Sequence, residues 1–185
     1  MKEKSLWSEF ALVFICLFVS VSRVSAADTN TLSISPFHLL LPVVELTLES
    51  DIAKDMSVAG ILGYGWITDT DINGSRTKVN IFEAGAQYRY YPSGDTHKGM
   101  HLGLEGLFVR PSFNDNSVKV KGSGFALGPF VGYKWAPDSG EVYDLQVGYQ
   151  RMIAKVEAKD DVGNQAEASS TDGFVLFNFN IGFRF

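Results

Sequence analysis

The sequence predicts an all-β protein: a closed antiparallel transmembrane β-barrel of eight strands joined as an up-and-down meander. Three observations predict this fold. Apolar and polar residues alternate along segments of about a dozen residues, turn residues separate the segments, and aromatic residues gather where segments end. The clearest segment is the last, where every second residue from Val175 to Phe185 is apolar. A tilted strand crosses a hydrocarbon layer with about 9–11 residues, so this segment has the length of one transmembrane strand.

The amino-terminal residues have the pattern of a secretory signal peptide, which we expect to occupy residues 1–26. Two lysines provide a basic start, and an apolar run then covers residues 10–21 before small residues begin. Such a run is too short for a membrane-spanning helix. Cleavage after Ala26 or after Ala27 fits the pattern, and residues 27–185 then form the barrel.

The composition argues against several classes of function. The single cysteine, Cys16, belongs to the predicted signal peptide, so we expect no disulfide, thiol nucleophile or thiolate metal site. Removing residues 1–26 lowers the basic total from 16 to 13 and the acidic total from 21 to 19, which leaves a net charge of −6. An acidic chain with no basic run in its sequence is a poor candidate for nucleic-acid binding, which depends on neutralising phosphates.

The strands can be assigned in order from the alternation. Six later segments have an apolar face that we predict to point outward: 56–66, 82–90, 100–108, 124–135, 143–150 and 174–185. Since both termini of such a barrel should lie in the periplasm, residues 31–50 must supply an even number of further strands. We expect residues 32–40 and 43–49 to form them, although Pro36 cannot donate a hydrogen bond to a ladder.

The connections between these segments alternate in length, which predicts the orientation. The short connections are 50–55, 92–98 and 137–141, and the long ones are 68–77, 111–122 and 154–172. In outer-membrane barrels short turns face the periplasm and long loops face the outside. We therefore expect all three long connections on the outside.

The chain, and its last strand above all, resembles the small Gram-negative outer-membrane β-barrels of the OmpA/OmpX and OmpW types. In such proteins the last strand ends in Phe and serves as an assembly signal, which implies that role for Phe183 and Phe185. The resemblance covers the mature chain as a pattern. It implies a monomer in the outer membrane whose partners are membrane lipids, lipopolysaccharide and the assembly machinery. Envelope integrity, adhesion and small-molecule permeation all remain open as roles.

A soluble eight-stranded barrel such as a lipocalin, with its apolar face inward, is the alternative architecture. This alternative is less favoured, because its outer wall would then carry many glycines and few charges. The aromatic residues at strand ends, among them Tyr64, Trp66, Tyr133 and Trp135, instead fit girdles at the level of lipid headgroups.

The inward polar face predicts a charged lumen. Its charged residues are Glu45, Glu49, Glu83, Arg89, Glu105, Lys134, Asp144 and Arg184. An eight-stranded barrel is just wide enough for side chains to fill, and buried charges are costly unless paired. We therefore expect a mostly plugged, salt-bridged lumen in which Glu83 and Glu105 share cations among Arg89, Lys134 and Arg184. A narrow path for ions or small molecules is the alternative.

We expect neither catalysis nor bound cofactors or metals. Barrels that modify lipids in the outer leaflet use serine, histidine and acid groups near the outer membrane edge. Here His97 and His101 fall on the predicted periplasmic side, and His38 has no serine at a recognisable spacing. Asp69 and Asp71 are arranged as in a calcium loop but lack its final Glu. An outer-leaflet enzyme is therefore the less favoured alternative.

Overall fold

The computed structural model shows eight antiparallel strands that form a closed barrel in the order of the sequence. It describes residues 30–36, 43–70, 76–114, 118–160 and 165–185. The strands are β1 (Asn30–Ile34), β2 (Val43–Ala53), β3 (Met56–Thr70), β4 (Arg76–Tyr90), β5 (Gly99–Asn114), β6 (Val118–Trp135), β7 (Glu141–Asp160) and β8 (Gln165–Arg184). The ring closes where β1 pairs with β8. The predicted all-β class, strand number and meander order are confirmed.

The alternation places apolar side chains on the outside of the barrel and polar side chains inside. On β8, Phe177 and Phe183 are 51% and 54% exposed, whereas Asn178 and Asn180 are 2% exposed. We call this outer surface the apolar belt; its members include Leu62, Leu102, Leu104, Phe125, Leu127, Val147, Phe177 and Ile181. A soluble globular protein has the opposite arrangement, so the inward-apolar alternative is wrong. No helix among the described residues is long and apolar enough to cross a membrane.

One end of the barrel holds the chain ends and the shorter connections, and we call it the short-turn end. Its described connections are residues 54–55, 91–98 and 136–140. The main chains of Asn30 and Phe185 exchange two hydrogen bonds there, of 3.3 and 3.0 Å. The opposite end is called the far end.

The strands extend further toward the far end than we predicted. β7 and β8 have 20 residues each and stay paired up to Lys159 and Gln165. The expected long connections 68–77, 111–122 and 154–172 are therefore wrong in extent, because strands occupy most of them. Polar runs predicted loops, but strands that are already paired in the barrel wall can continue their ladder with polar side chains on both faces, as β7 and β8 do.

The first hairpin also differs from the prediction. β1 ends at Ile34 rather than at residue 40, and residues 37–42 lie outside the described part of the chain. The Ser35 N–H still donates to the Glu45 carbonyl at 3.2 Å, but Pro36 follows and has no N–H to continue the ladder. β2 continues past the predicted turn to Ala53, with an irregular register between Asp51 and Ala53.

Replacing Gly128 by Ala should destabilise the barrel by about 1–3 kcal/mol, the usual range for overpacking. A Cβ at this position would lie 1.9 Å from the Tyr149 carbonyl oxygen and 2.7 Å from the Gln150 Cα, so the β6–β7 backbone must move. Gly106→Ala is the matched control, because the nearest atoms to its Cβ would be 3.5 Å or more away. Urea unfolding followed by Trp fluorescence compares the two variants, and equal destabilisation would contradict the close approach of β6 to β7.

Candidate functional site

The structure brings most of the predicted lumenal charges into the barrel interior. Seven of the eight charged side chains predicted to face the lumen are 9% exposed or less: Glu45, Glu49, Glu83, Arg89, Glu105, Lys134 and Asp144. Arg184 differs, because it lies at the short-turn end and donates from Nη2 to the Pro137 carbonyl at 3.3 Å in an exposed contact. Arg184 is therefore not part of the lumenal network.

Two cations and two carboxylates form an ion-pair cluster near the short-turn end. Its members are Glu49 on β2, Arg89 on β4, Lys134 on β6 and Asp144 on β7. Arg89 Nη1 lies 2.6 Å from Glu49 Oε2 and 3.0 Å from Asp144 Oδ2, and Lys134 Nζ lies 2.7 Å from Glu49 Oε1. All four side chains are almost fully buried, so they interact where water screens charges least.

Neutral groups complete the surroundings of Glu49. The hydroxyls of Ser57 and Tyr91 each donate to Glu49 Oε1 at 2.7 Å. Burial raises the pKa of the Tyr91 hydroxyl, which therefore keeps its proton and remains a donor. Lys134 Nζ also lies 4.9 Å from the centre of the Tyr91 ring, within cation–π range. Glu49 thus accepts charged or neutral hydrogen bonds on both of its oxygens.

The connection between β4 and β5 folds back into the barrel at the short-turn end. Tyr91 begins it and is fully buried, and Thr96 near its end is 5% exposed. The Thr96 carbonyl accepts a hydrogen bond from Lys134 Nζ at 3.0 Å. This connection was predicted only as a short periplasmic turn, whereas the structure shows that it covers the ion-pair cluster at the short-turn end.

Three glutamines link the ion-pair cluster to the rest of the lumen. Arg89 Nε donates to Gln87 Oε1 at 2.8 Å, and Gln87 Nε2 donates to Gln146 Oε1 at 3.1 Å and to Glu105. Gln150 Nε2 also donates to Glu105. Sequence reasoning missed these residues because we selected charged side chains, although inward parity alone marks Gln87, Gln146 and Gln150 as lumenal.

Toward the far end the lumen contains an acidic cluster of Glu45, Glu83 and Glu105. Glu45 and Glu83 lie on either side of Gly63 in one row of paired residues. A Cβ at Gly63 would lie 2.8 Å from Glu83 Oε2, so the carboxylate occupies the space above this glycine. Asn178 Nδ2 donates to Glu45 at 3.4 Å. Within the described residues, Glu83 Oε2 and Gln150 Oε1 are buried without a hydrogen-bond partner.

The charge partners differ from those we expected. Glu83 and Glu105 were predicted to share Arg89, Lys134 and Arg184, but Arg89 and Lys134 bind Glu49 and Asp144 instead. Glu105 is held by amide groups. Counted over the buried described residues, five carboxylates face two cations, which leaves a formal excess of three negative charges at the acidic cluster.

The histidines are not arranged around a reactive group in the described part of the chain. His101 is fully buried, with its ring centre 5.1 Å from that of Tyr91 and 5.9 Å from that of Phe130. Its Nε2 lies 3.4 Å from Asp144 Oδ1 without forming a hydrogen bond. His97 is 41% exposed at the short-turn end, and His38 lies outside the described residues. No group of described His, Asp or Glu side chains has the arrangement of a metal site.

Comparisons with known proteins find likeness only at the level of structure. No family model matches the chain, and no curated protein matches it. The chain is similar to a major outer membrane protein from Thermus thermophilus, at 14% identity and a TM-score of 0.45 over 84% of this chain and 99% of that one. It is also similar to CarO2 from Acinetobacter baumannii, at 12% identity and a TM-score of 0.41 over 85% and 97%. The fold assignment rests on the strand pairing of this chain itself.

Glu49→Gln should destabilise the barrel by about 3–5 kcal/mol, because it leaves two buried cations short of one carboxylate. Glu105→Gln, an identical change at an equally buried position, should shift stability by only about 1 kcal/mol, since amides hold Glu105 and two other carboxylates are its neighbours. Urea unfolding of both variants in the same detergent provides the comparison. A larger loss for Glu105→Gln than for Glu49→Gln would show that the cations are assigned to the wrong carboxylates.

Proposed function

We propose that the protein is an integral outer-membrane β-barrel with a mostly plugged lumen and a role in envelope structure or surface interaction. In this proposal the short-turn end faces the periplasm and the far end faces the outside. The observation that supports it is the inverted arrangement of the barrel, whose outer wall is apolar and whose interior is polar. A closed barrel satisfies every backbone hydrogen bond without water, which is the requirement for a β structure in lipid.

Aromatic side chains near both ends of the apolar belt support a membrane environment. Tyr64 and Trp66 lie on the far-end side of β3, with ring centres 6.4 Å apart and about half of each side chain exposed. Tyr133 and Trp135 lie at the short-turn end of β6, with ring centres 4.6 Å apart and similar exposure. Tyrosine and tryptophan favour the two membrane–water interfaces, because their rings are apolar and their polar atoms can reach water.

The contents of the lumen support a plug rather than a wide channel. The ion-pair cluster joins β2, β4, β6 and β7 across the interior, and the 91–98 connection lies below it. Eight strands leave an interior about as wide as its side chains. A plugged barrel acts through its surfaces, so we infer no catalytic role and no cofactor.

The carboxyl-terminal residues support recognition by the outer-membrane assembly machinery. Phe183 and Phe185 are 54% and 55% exposed on the outer wall, with ring centres 6.0 Å apart. They are therefore accessible on the same face of β8 for a partner that reads the last strand. We propose that they form the assembly signal, that residues 1–26 direct export, and that the mature barrel is a monomer.

The acidic cluster favours a second candidate function, a narrow path selective for cations. Its three buried carboxylates lie together toward the far end, and Glu83 Oε2 and Gln150 Oε1 have no described donor. Oxygen acceptors without donors can bind a passing cation in place of its water. The ion-pair cluster would then be the barrier at the periplasmic end of the path.

Cell fractionation and a paired substitution on β5 test the main proposal. The protein should be recovered with outer membranes, and unboiled samples should migrate differently from boiled ones on gels, because a closed barrel resists detergent.

Leu104 is 49% exposed in the apolar belt, and Leu104→Arg should cost up to about 2–4 kcal/mol of stability in lipid. Leu104→Ala is the control without charge. Recovery in the soluble fraction, with Leu104→Arg tolerated as well as Leu104→Ala, would contradict a membrane location.

Planar-bilayer recordings distinguish the plug from the cation path. We expect no steady conductance from the purified barrel, because the ion-pair cluster closes its interior. Stable openings that prefer cations, and that lose this preference in Glu45→Gln/Glu83→Gln, would favour the path. The matched double variant Glu141→Gln/Glu157→Gln removes two exposed carboxylates and should leave any such preference unchanged.

A further inference from the structure

We propose that the outward faces of β5, β6 and β7 carry, at the far end, a binding site for the phosphate groups of a glycolipid in the outer leaflet. The site consists of Arg110, Lys121 and Lys155, and Arg151 lies next to it on the side away from the far end. The proposal rests on the outer-membrane location proposed above, and it adds the residues of the binding site and the chemical group that they bind.

Three of these cations project outward from neighbouring strands: Arg110 from β5, Lys121 from β6 and Lys155 from β7. Lys121 pairs with Ser112 of β5, and Lys155 pairs with Ser123 of β6. Strands lie about 4.8 Å apart and rise about 3.3 Å per residue, which places the three Cα atoms roughly 8–10 Å from one another. The long side chains of Arg110, Lys121 and Lys155 can therefore converge on one phosphate group.

The packing of the inward residues fixes the outward direction of these cations. Gly122 is buried, and a Cβ there would lie 2.7 Å from Pro111 Cγ, so Pro111 and Gly122 both face the interior. Arg110 and Lys121 are their chain neighbours and face the opposite way. Lys121 and Lys155 are exposed and form no salt bridge in the described part of the chain.

An apolar row lies immediately below the three cations. Phe108, Phe125 and Ile153 occupy it as paired residues of β5, β6 and β7, and Phe125 and Ile153 are about half exposed. Arg110 and Lys155 follow two residues further along their strands, and Lys121 lies four residues beyond Phe125, where the apolar belt has ended. A lipid with its acyl chains against this row would bring its phosphate to the level of the cations.

Arg151 provides an independent reason to expect an anion at this place. It is exposed on the outward face of β7 between Tyr149 and Ile153, which are 54% and 55% exposed. A cation within a lipid-facing apolar surface is unfavourable unless its side chain extends to the polar interface. A side chain that extends from Arg151 toward the far end approaches Lys155, and a phosphate at that place would compensate the charges of both residues.

The chemistry of the side chains favours phosphate over a carboxylate partner. Arginine offers a planar pair of donors to phosphate oxygens, and lysine adds point charges around them. Glu157 is the acidic residue in register with Lys121, but the two are not within salt-bridge distance, and Glu157 faces Glu167 on β8. Because Glu157 and Glu167 repel a phosphate, the bound phosphate lies on the apolar-belt side of Lys121, at the level of Arg110 and Lys155.

A lysine-pair comparison in lipid nanodiscs tests the proposal. The purified barrel is inserted into phosphatidylcholine nanodiscs that contain bisphosphorylated lipid A, and lipid A retained through a wash is measured per barrel. Lys121→Gln/Lys155→Gln should reduce this retention about tenfold, since each lysine contributes a charge-assisted contact. Lys54→Gln/Lys98→Gln, which removes two exposed lysines from the short-turn end, gives the same net charge and should retain lipid A as the parent does.

The controls separate the possible failures. Dephosphorylated lipid A should be retained weakly and equally by all variants, and inorganic phosphate should not displace bound lipid A at matched concentration. Equal retention by the two lysine-pair variants would overturn the phosphate site, as would full displacement by inorganic phosphate, which would indicate a site for free anions. A parent barrel that fails to enter nanodiscs or to show heat-modifiable migration would instead overturn the membrane proposal itself.

Discussion

The carboxylate of Glu49 is the interaction on which the arrangement of the lumen depends. It extends from β2 and accepts hydrogen bonds from Ser57 on β3, Arg89 on β4, Tyr91 in the following connection and Lys134 on β6. A buried cation is costly when unpaired, and this one carboxylate binds both Arg89 and Lys134, while Asp144 supplies the second negative charge. Because the partners of Glu49 come from separate strands, the same contacts also fix how the strands face one another across the interior.

The binding of both cations near the short-turn end divides the lumen into two unlike parts. Glu49 and Asp144 neutralise Arg89 and Lys134, so the charges of that part balance. The carboxylate of Glu105 is left with the amide donors of Gln87 and Gln150, and Gln87 also accepts a hydrogen bond from Arg89. The far part therefore has three buried carboxyl groups and no buried cation among the described residues, while it remains joined to the balanced part by hydrogen bonds. This difference along the axis makes the ion-pair cluster the place where any ion path would close.

Alternation along the strands predicted six strands and the inward parity of residues such as Gln87, because the side-chain period of two assigns each residue to one face. The requirement that both chain ends lie on the same side of the membrane supplied the first two strands, and with them the ring of eight. Alternation could not predict that Arg89 meets Glu49 and Asp144 rather than Glu83, since contacts across a lumen depend on strand register and side-chain reach. The strand ends were missed for another reason: beyond the belt both faces are polar, so the ladder of β7 and β8 has the composition of a loop.

The same separation of faces explains why net charge is a poor guide to this protein's partners. The chain is acidic, with a net charge of −5, which argues against nucleic acid as a partner. Much of that negative charge, however, points into the lumen as Glu45, Glu83 and Glu105, while Lys121 and Lys155 point outward on the other side of the wall. These two lysines are distant in sequence and become neighbours only through the pairing of β6 with β7. Screening by water and salt further weakens the influence of the inner carboxylates on the outer surface. A local cationic surface suited to phosphate can therefore exist on a chain whose overall charge would suggest the opposite.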